Sequence, residues 1–485
     1  MKGMWKRLAA LLAVLMFLTS SALAVTLDGY VKPTYPDNAD VYDPTHPELL
    51  NGDMLLASSA ILMEAKTGTV IFEKNADVHM FPASTTKIMT VYLGLLTSDL
   101  SETVTVSPNA VNLPDDSSVI PLTAGEQLTM ESLLYSTMIR SGNDGAIAIA
   151  EAVSGSVDGF VDLMNSQAQM MGCTNTHFTN PHGLHDDDHY TTARDLATMT
   201  RYAMQNETFA QIAGTWQWTK PRTNTTSATS MTSGKSYIMS PTANLDGKYY
   251  YPYCLGVKTG TTGKAGYCFV GYAKKDGIDL ISVVLYSSEN GRWSDTIRLF
   301  DYGFAQYVAV TPEELYDMFP FTVQTSGYAL DDPQQGKLSL RLVKQGDESV
   351  TIVTTQDEVE NLARELRSLA MISYTDSFSA PVHMGDIMGT LTYYDERTSK
   401  TVVYDLVAAR EVAKRANAPK SLAEIEAETL ADPNPFPPLT TFGVVSLVLF
   451  LGVIAGIVKL LKTLFSRRKH GRRNKTVKAE NRMYR

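Results

Sequence analysis

The sequence predicts an α/β (α+β) protein with helices clustered on an antiparallel sheet, followed by a small β-rich domain and one transmembrane helix. Three observations predict this. Runs of strand character open and close the larger part of the chain, a block of helical spacing lies between them, and a long uncharged stretch stands near the C-terminus. At 485 residues, 44% hydrophobic and 19% charged, the chain suits a folded protein of two or three domains.

The elements follow in order. Lys2, Lys6 and Arg7 precede the apolar run Leu8 to Leu18 and the small-x-small site Ala22-Leu23-Ala24, the pattern of a secretory signal peptide over 1–24. Residues 25–51 lack periodicity and form an extended leader. Between Ala57 and Phe72, apolar runs flank Lys66-Thr67-Gly68-Thr69, which predicts a strand hairpin. From Thr85 the spacing turns helical, so Ser84 falls at a helix start. Thr129 to Met138, Asn143 to Val153 and Gly155 to Met171 continue the helical block, and Thr192 to Leu196 begins another helix. Tyr267 to Ala273 and Asp279 to Tyr286 are strands around the turn Lys274-Lys275-Asp276-Gly277, and Ser294 to Phe304 is helical. The first and larger domain is therefore expected over 52–308. A β-rich domain follows at 309–405, interrupted by a helical pattern from Glu358 to Ala370. An Ala- and Glu-rich helical stalk is expected over 406–438.

Leu439 to Val458 carries no charge, and 20 residues of helix span about 30 Å, a bilayer core. From Lys459 to Arg485 there are eleven Lys or Arg against one acid, which places the tail 459–485 in the cytoplasm. The whole chain is at −10. With the signal's three positive charges and the tail's +10 set aside, the segment between carries −23, which argues against a nucleic-acid partner. The three cysteines make no disulfide framework. A Cys254–Cys268 pair stays open beside the reading of three separate, partly buried thiols.

Three short motifs carry the chemistry: Ser84-x-x-Lys87, Ser141-Gly142-Asn143 and Lys258-Thr259-Gly260. Each alone is weak; the ordered set at a helix start, a helix junction and a strand is not. A serine hydroxyl needs a neighbour to take its proton, and residues i and i+3 share a helix face, so Lys87 reaches Ser84. Lys87 serves as base only if burial or a nearby positive charge, such as Lys258, lowers its pKa. Ser141 is placed to relay a proton, and Asn143 to bind substrate or hold Lys87. Backbone N–H groups at Ser84 and just past Gly260 would form an oxyanion hole. Gly260 leaves room for a substrate along the strand edge.

Pro82-Ala83-Ser84-Thr85-Thr86-Lys87-Ile88-Met89-Thr90 resembles the nucleophile motif of the low-molecular-mass penicillin-binding proteins, and most nearly the serine-type D-alanyl-D-alanine carboxypeptidases of peptidase family S11. Ser141-Gly142-Asn143-Asp144, Phe178 to Leu184, Gly256 to Thr261, Ala265-Gly266-Tyr267 and Asp301-Tyr302-Gly303-Phe304 agree with it. The resemblance is strong from about Ala57 to Phe304 and weak to about Tyr404. It implies the penicillin-binding/β-lactamase-like transpeptidase fold, a peptidoglycan stem peptide as substrate and β-lactams as covalent inhibitors. It implies Ser84 as nucleophile, Lys87 as base and Ser141 in the proton relay. It also places Asn143 in the site wall, Lys258, Thr259 and Arg292 on the substrate carboxylate, and Thr261 in the oxyanion hole. Relatives commonly attach through an amphipathic helix lying on the membrane. Here a true span is expected, with the catalytic domain outside.

No metal or cofactor is expected. His185-Asp186-Asp187-Asp188-His189 is dense in possible ligands, but no second pair at fixed spacing joins it, so it reads as a solvated acidic loop. Gly263-Lys264-Ala265 lacks the hydroxyl a phosphate loop needs. His79 and His182 read as structural, and Trp216, Trp218 and Trp293 as packing or cleft wall. A β-lactamase is disfavoured because no glutamate motif lies between Asn143 and Lys258. A DD-endopeptidase is poorly separated from a carboxypeptidase, and the intact motif set weighs against a non-catalytic wall-peptide sensor or scaffold.

Overall fold

The computed structural model describes residues 43–242, 247–375, 378–396, 398–415, 422, 449–459 and 461–462. The expected signal peptide, most of the leader and stalk, the first half of the expected span and nearly all of the basic tail lie outside the described residues. The chain divides into two compact units, 1–323 with 339–377 and 384–410, and 324–338 with 378–383 and 411–485.

In the first unit, β1 (Ser59–Glu64) and β2 (Val70–Lys74) form the expected hairpin. Gly68 turns it with φ +79°. A short 3₁₀ turn, Ala83–Thr86, runs straight into α1 (Lys87–Thr97), so Ser84 stands one turn before the helix proper. Next come β3 (Thr103–Thr105), β4 (Gln127–Thr129), α2 (Met130–Arg140), α3 (Asn143–Ser154), α4 (Val157–Met170) and α5 (Ala193–Met204). Hydroxyls of Thr129, Ser156 and Thr192 cap α2, α4 and α5. Then α6 (Glu207–Gly214), the hairpin β5 (Gln217–Lys220) and β6 (Thr229–Thr232), and α7 (Ser236–Met239) lead to the sheet's other strands. These are β7 (Cys254–Thr262), β8 (Gly266–Lys275) and β9 (Ile278–Ser287), followed by α8 (Gly291–Gln306). Asp276 (φ +49°) and Gly277 (φ +82°) close the β8–β9 hairpin, as a two-residue turn with both residues left-handed requires.

The antiparallel sheet runs β2-β1-β9-β8-β7, with β7 at an edge. Its central strands are buried on both faces because alternate residues enter two cores. Ile61, Val270, Ile281 and Val283 pack with Ile88, Leu134, Met138 and Ile149 of the helical cluster. Leu62, Phe269, Leu280 and Val284 pack with Trp293, Leu299 and Phe300 of α8. The end of the expected leader is not extended. It forms a 3₁₀ turn, Pro47–Leu49, and Gln306 Nε2 donates to Glu48 O at 3.3 Å.

Beyond α8 come β10 (Tyr307–Val310), α9 (Pro312–Met318), β11 (Thr322–Gln324), β12 (Lys337–Gln345) and β13 (Ile352–Thr355). They are followed by α10 (Val359–Leu369), β14 (Ala370–Tyr374), β15 (Ile387–Asp395) and β16 (Lys400–Ala408). Strands β12, β16, β15 and β14 lie side by side, antiparallel. One expectation is corrected here. Leu406 to Ala408 belong to a strand and not to a helical stalk, because Val402, Tyr404 and Leu406 alternate into the core. In the second unit, Val382 and Val412, and Tyr328 and Lys414, form antiparallel bridges. Residues 449–459 are helical and exposed, yet among the described residues no helix is long and apolar enough to cross a membrane.

A buried ion pair ties the loop before β4 to the β5–β6 hairpin. Lys220 Nζ donates to Glu126 Oε1 at 2.5 Å, with side-chain exposures of 2% and 0%, and the Thr226 hydroxyl donates to the same oxygen. Lys220→Met strands the carboxylate without its counter-charge. It should lower the unfolding free energy by about 3–5 kcal/mol in urea titrations, while Glu126→Gln/Lys220→Met should recover much of the loss.

Candidate active site

The site gathers residues from the turn before α1, the α2–α3 junction and β7. Lys87 is fully buried. Its ammonium reaches Asn143 Oδ1 at 2.7 Å, the His182 carbonyl at 2.7 Å and Ser84 Oγ at 3.1 Å. An amide oxygen and a carbonyl can only accept, so these two contacts take hydrogens. The Ser84 hydroxyl is the one neighbour toward which Lys87 can turn a lone pair. Burial pushes the amine down to about 7 against the opposing pull of the Asp144 carboxylate, so burial rather than Lys258 leads.

A second serine–lysine pair lies beside the first. Lys258 Nζ donates to Ser141 Oγ at 2.9 Å and to Thr259 O at 2.8 Å. Burial, then the positive charges of Lys87, Lys235 and Arg292, hold its amine well below the usual lysine range. Ser141 ends α2 in the left-handed conformation (φ +59°), which turns the chain into α3 and Asn143. Arg292, at the start of α8, places Nη1 3.3 Å from Thr261 Oγ1 and stacks over Trp293 and Tyr267. Its Nε is buried and has no hydrogen-bond acceptor among the described residues. Thr259 and Thr261 follow Lys258 along edge strand β7.

Gly260 has a reason that the sequence did not show. A Cβ there would lie 2.9 Å from Pro82 O and 3.1 Å from Thr85 N, so β7 and the Ser84 turn can touch only across a glycine. Gly183 does the same from the opposite loop: its Cβ would stand 1.9 Å from Ala83 O, and its φ is +85°.

Four further contributors escaped the sequence reading. Asp144, quoted within a motif but given no task, is buried and accepts from the backbone N–H groups of Ile120, Leu122 and Gly145 at 2.8–3.0 Å. It thereby holds the 118–122 loop against the start of α3. Lys235, with no motif around it, is buried and donates to Ala213 O and Val257 O. His189, expected in a solvated acidic loop, is 2% exposed. Its ring packs behind Thr86 at 2.8 Å, whereas Asp186, Asp187 and Asp188 are exposed as expected. The fourth is the His182 backbone carbonyl; its ring is held down to about 3 by burial and then by Lys87. His79 stacks on Tyr190, Trp218 on Tyr135, and Trp293 lies in the core. Cys173, Cys254 and Cys268 are all buried, free thiols.

A buried lysine turned toward a serine at a helix start, with a second serine–lysine pair beside it, defines the class of serine–lysine acyl-transfer sites. Residues 47–289 match the family model described as Peptidase S11, D-alanyl-D-alanine carboxypeptidase. The chain is 32% identical to the D-alanyl-D-alanine carboxypeptidase DacF of Bacillus subtilis, over 74% of this chain and 86% of that one. It is 31% identical to DacC of Escherichia coli over 70% and 80%. Among solved structures, penicillin binding protein 5 from Haemophilus influenzae aligns with 75% of this chain and 100% of its own, at 25% identity and a TM-score of 0.49. The chain belongs to the D-alanyl-D-alanine carboxypeptidase family, peptidase S11.

Asp144→Ala leaves buried N–H groups of Ile120 and Leu122 without acceptors. It should cost about 1–3 kcal/mol of stability in denaturant unfolding, with faster amide exchange at those two positions.

Proposed function

We propose that this chain is a serine-type D-Ala-D-Ala carboxypeptidase that removes the terminal D-alanine from peptidoglycan stem pentapeptides. The observation that carries the reading is the Lys87 amine, hydrogen-bonded to two obligate acceptors and left with the Ser84 hydroxyl as its third partner. The substrate lies along the edge of β7. Lys258, Thr259 and Arg292 receive its terminal carboxylate, and Asn143 lines the site. Ser84 Oγ attacks the penultimate D-Ala carbonyl while Lys87 takes the hydroxyl proton. The N–H groups of Ser84 and Thr261 meet the oxyanion. Ser141, hydrogen-bonded to Lys258, passes a proton to the departing amine. The C–N bond breaks, D-alanine leaves, and water releases the acyl group from Ser84. A β-lactam acylates the same oxygen.

The delivery of the enzyme belongs to the same proposal. The 1–24 signal exports the chain, Leu439 to Val458 anchors it as a single-pass helix, and the basic tail stays in the cytoplasm. The catalytic domain, 52–308, then works outside the membrane. The β-rich segment, 309–405, follows it in the chain, ahead of the anchor.

Full-length protein in detergent should release D-alanine from a stem pentapeptide and gain the mass of one penicillin. Ser84→Ala should abolish both; an adduct that survives the substitution overturns the nucleophile assignment. The base must be neutral, so the acylation rate should rise with pH through about 7 and level off above it, the reverse of a general-acid profile. Stopped-flow acylation across pH 5–9 measures this. Arg292→Leu should lower kcat/KM for D-Ala-terminated peptides by about tenfold or more, seen mainly in KM.

A further inference from the structure

We propose that His189 is a positioning residue that aims the Ser84 backbone N–H at the oxyanion through Thr86 and the Ala83 carbonyl. The inference rests on Ser84 as nucleophile.

The hydrogen bonds have only one possible direction. Thr179 N–H donates to His189 Nδ1 at 3.0 Å, and a backbone N–H cannot accept. Nδ1 is therefore an acceptor, and the neutral ring carries its hydrogen on Nε2. Nε2 is 2.8 Å from Thr86 Oγ1 and donates to it. The Thr86 hydroxyl then donates to Ala83 O at 2.8 Å. A backbone N–H at one end and a backbone C=O at the other fix every proton between them. Burial supports the neutral form by holding the imidazole down to about 3.

The chain ends on the peptide that matters. Ala83 C=O and Ser84 N–H share one planar trans unit and point in opposite directions, so anchoring the oxygen sets the direction of the N–H. The anchor is needed because Ala83 is left-handed at φ +49°, a strained conformation for an L-residue with a side chain. His189 touches no reacting atom; it acts through Thr86. Thr90 Oγ1 to Pro181 O and Lys87 Nζ to His182 O bind the same loop to α1. The loop's placement thus has other supports, and the His189–Thr86 bond is left with the finer task.

Two amide replacements separate this role from general support. Asn in place of histidine keeps an acceptor near Nδ1 but loses the donor to Thr86, whereas Gln keeps the donor. Stopped-flow acylation of the full chain by a chromogenic cephalosporin gives the acylation rate constant and the pre-covalent dissociation constant separately. H189N and the near-isosteric T86V should each slow acylation by tenfold or more, with the dissociation constant within threefold of the parent. H189Q should stay within threefold on both measures. The H189N/T86V double variant should be no slower than the slower single variant, because both break the same chain of hydrogen bonds. If H189N fails to fold, T86V and H189Q decide. Parent-like rates in T86V, a multiplicative double variant, or a Gln variant as slow as the Asn variant each overturns the proposal alone. A parent chain that takes no adduct overturns the Ser84 reading and this proposal with it.

Discussion

Everything in the site depends on keeping a lysine amine out of water. An ammonium in solution is strongly hydrated; around Lys87 the fold removes that water and supplies three oxygens in its place, and burial draws the amine down to about 7. The helical cluster provides burial, the α2–α3 junction provides Asn143, and the 179–189 loop provides a carbonyl. None of the three could be displaced without returning the amine to solvent or leaving it unpaired.

That requirement explains the crowding around Ser84. Gly183 and Gly260 let two separate segments press on the 83–86 turn at distances that no Cβ permits. Ala83 takes a left-handed conformation that its side chain disfavours, and Ser141 takes another. Strain of about 1–3 kcal/mol at each such position persists only where the surroundings over-determine it. Here the surroundings are the buried Asp144, which gathers three backbone N–H groups, and the packed helices behind it.

Much of this was legible in the chain itself. The hairpin at Lys66 to Thr69, the helical block and the strands around Asp276-Gly277 follow from periodicity and turn chemistry, which are local. Lys87 and Asn143 were named in advance, and the structure brings their side chains together. Arg292, transferred by resemblance alone, lies beside Thr261. What was not legible is long-range. Nothing near Lys235 in sequence announces that Ala213 and Val257 will accept from it. His189 sits in a run of acids whose local texture says solvent, yet tertiary packing buries its ring and leaves its neighbours exposed. Over Leu406 to Ala408 the sequence predicts helix, because alanine and glutamate dominate downstream, but the chain forms a strand. Composition averaged over a window hid the alternation of Val402, Tyr404 and Leu406.

The central pairing of the sheet has a temporal side. Ser59 of β1 lies opposite Leu285 of β9, with the entire helical cluster threaded between them. A chain made from its N-terminus presents β1 and β2 long before β9 exists. High contact order makes such a closure slow, and until then an apolar hairpin has one edge without a partner. The packing of Gly260 against Pro82 and Thr85 likewise waits for β7. The surroundings of Ser84 are therefore complete only after the carboxyl-terminal strands of this sheet have been made.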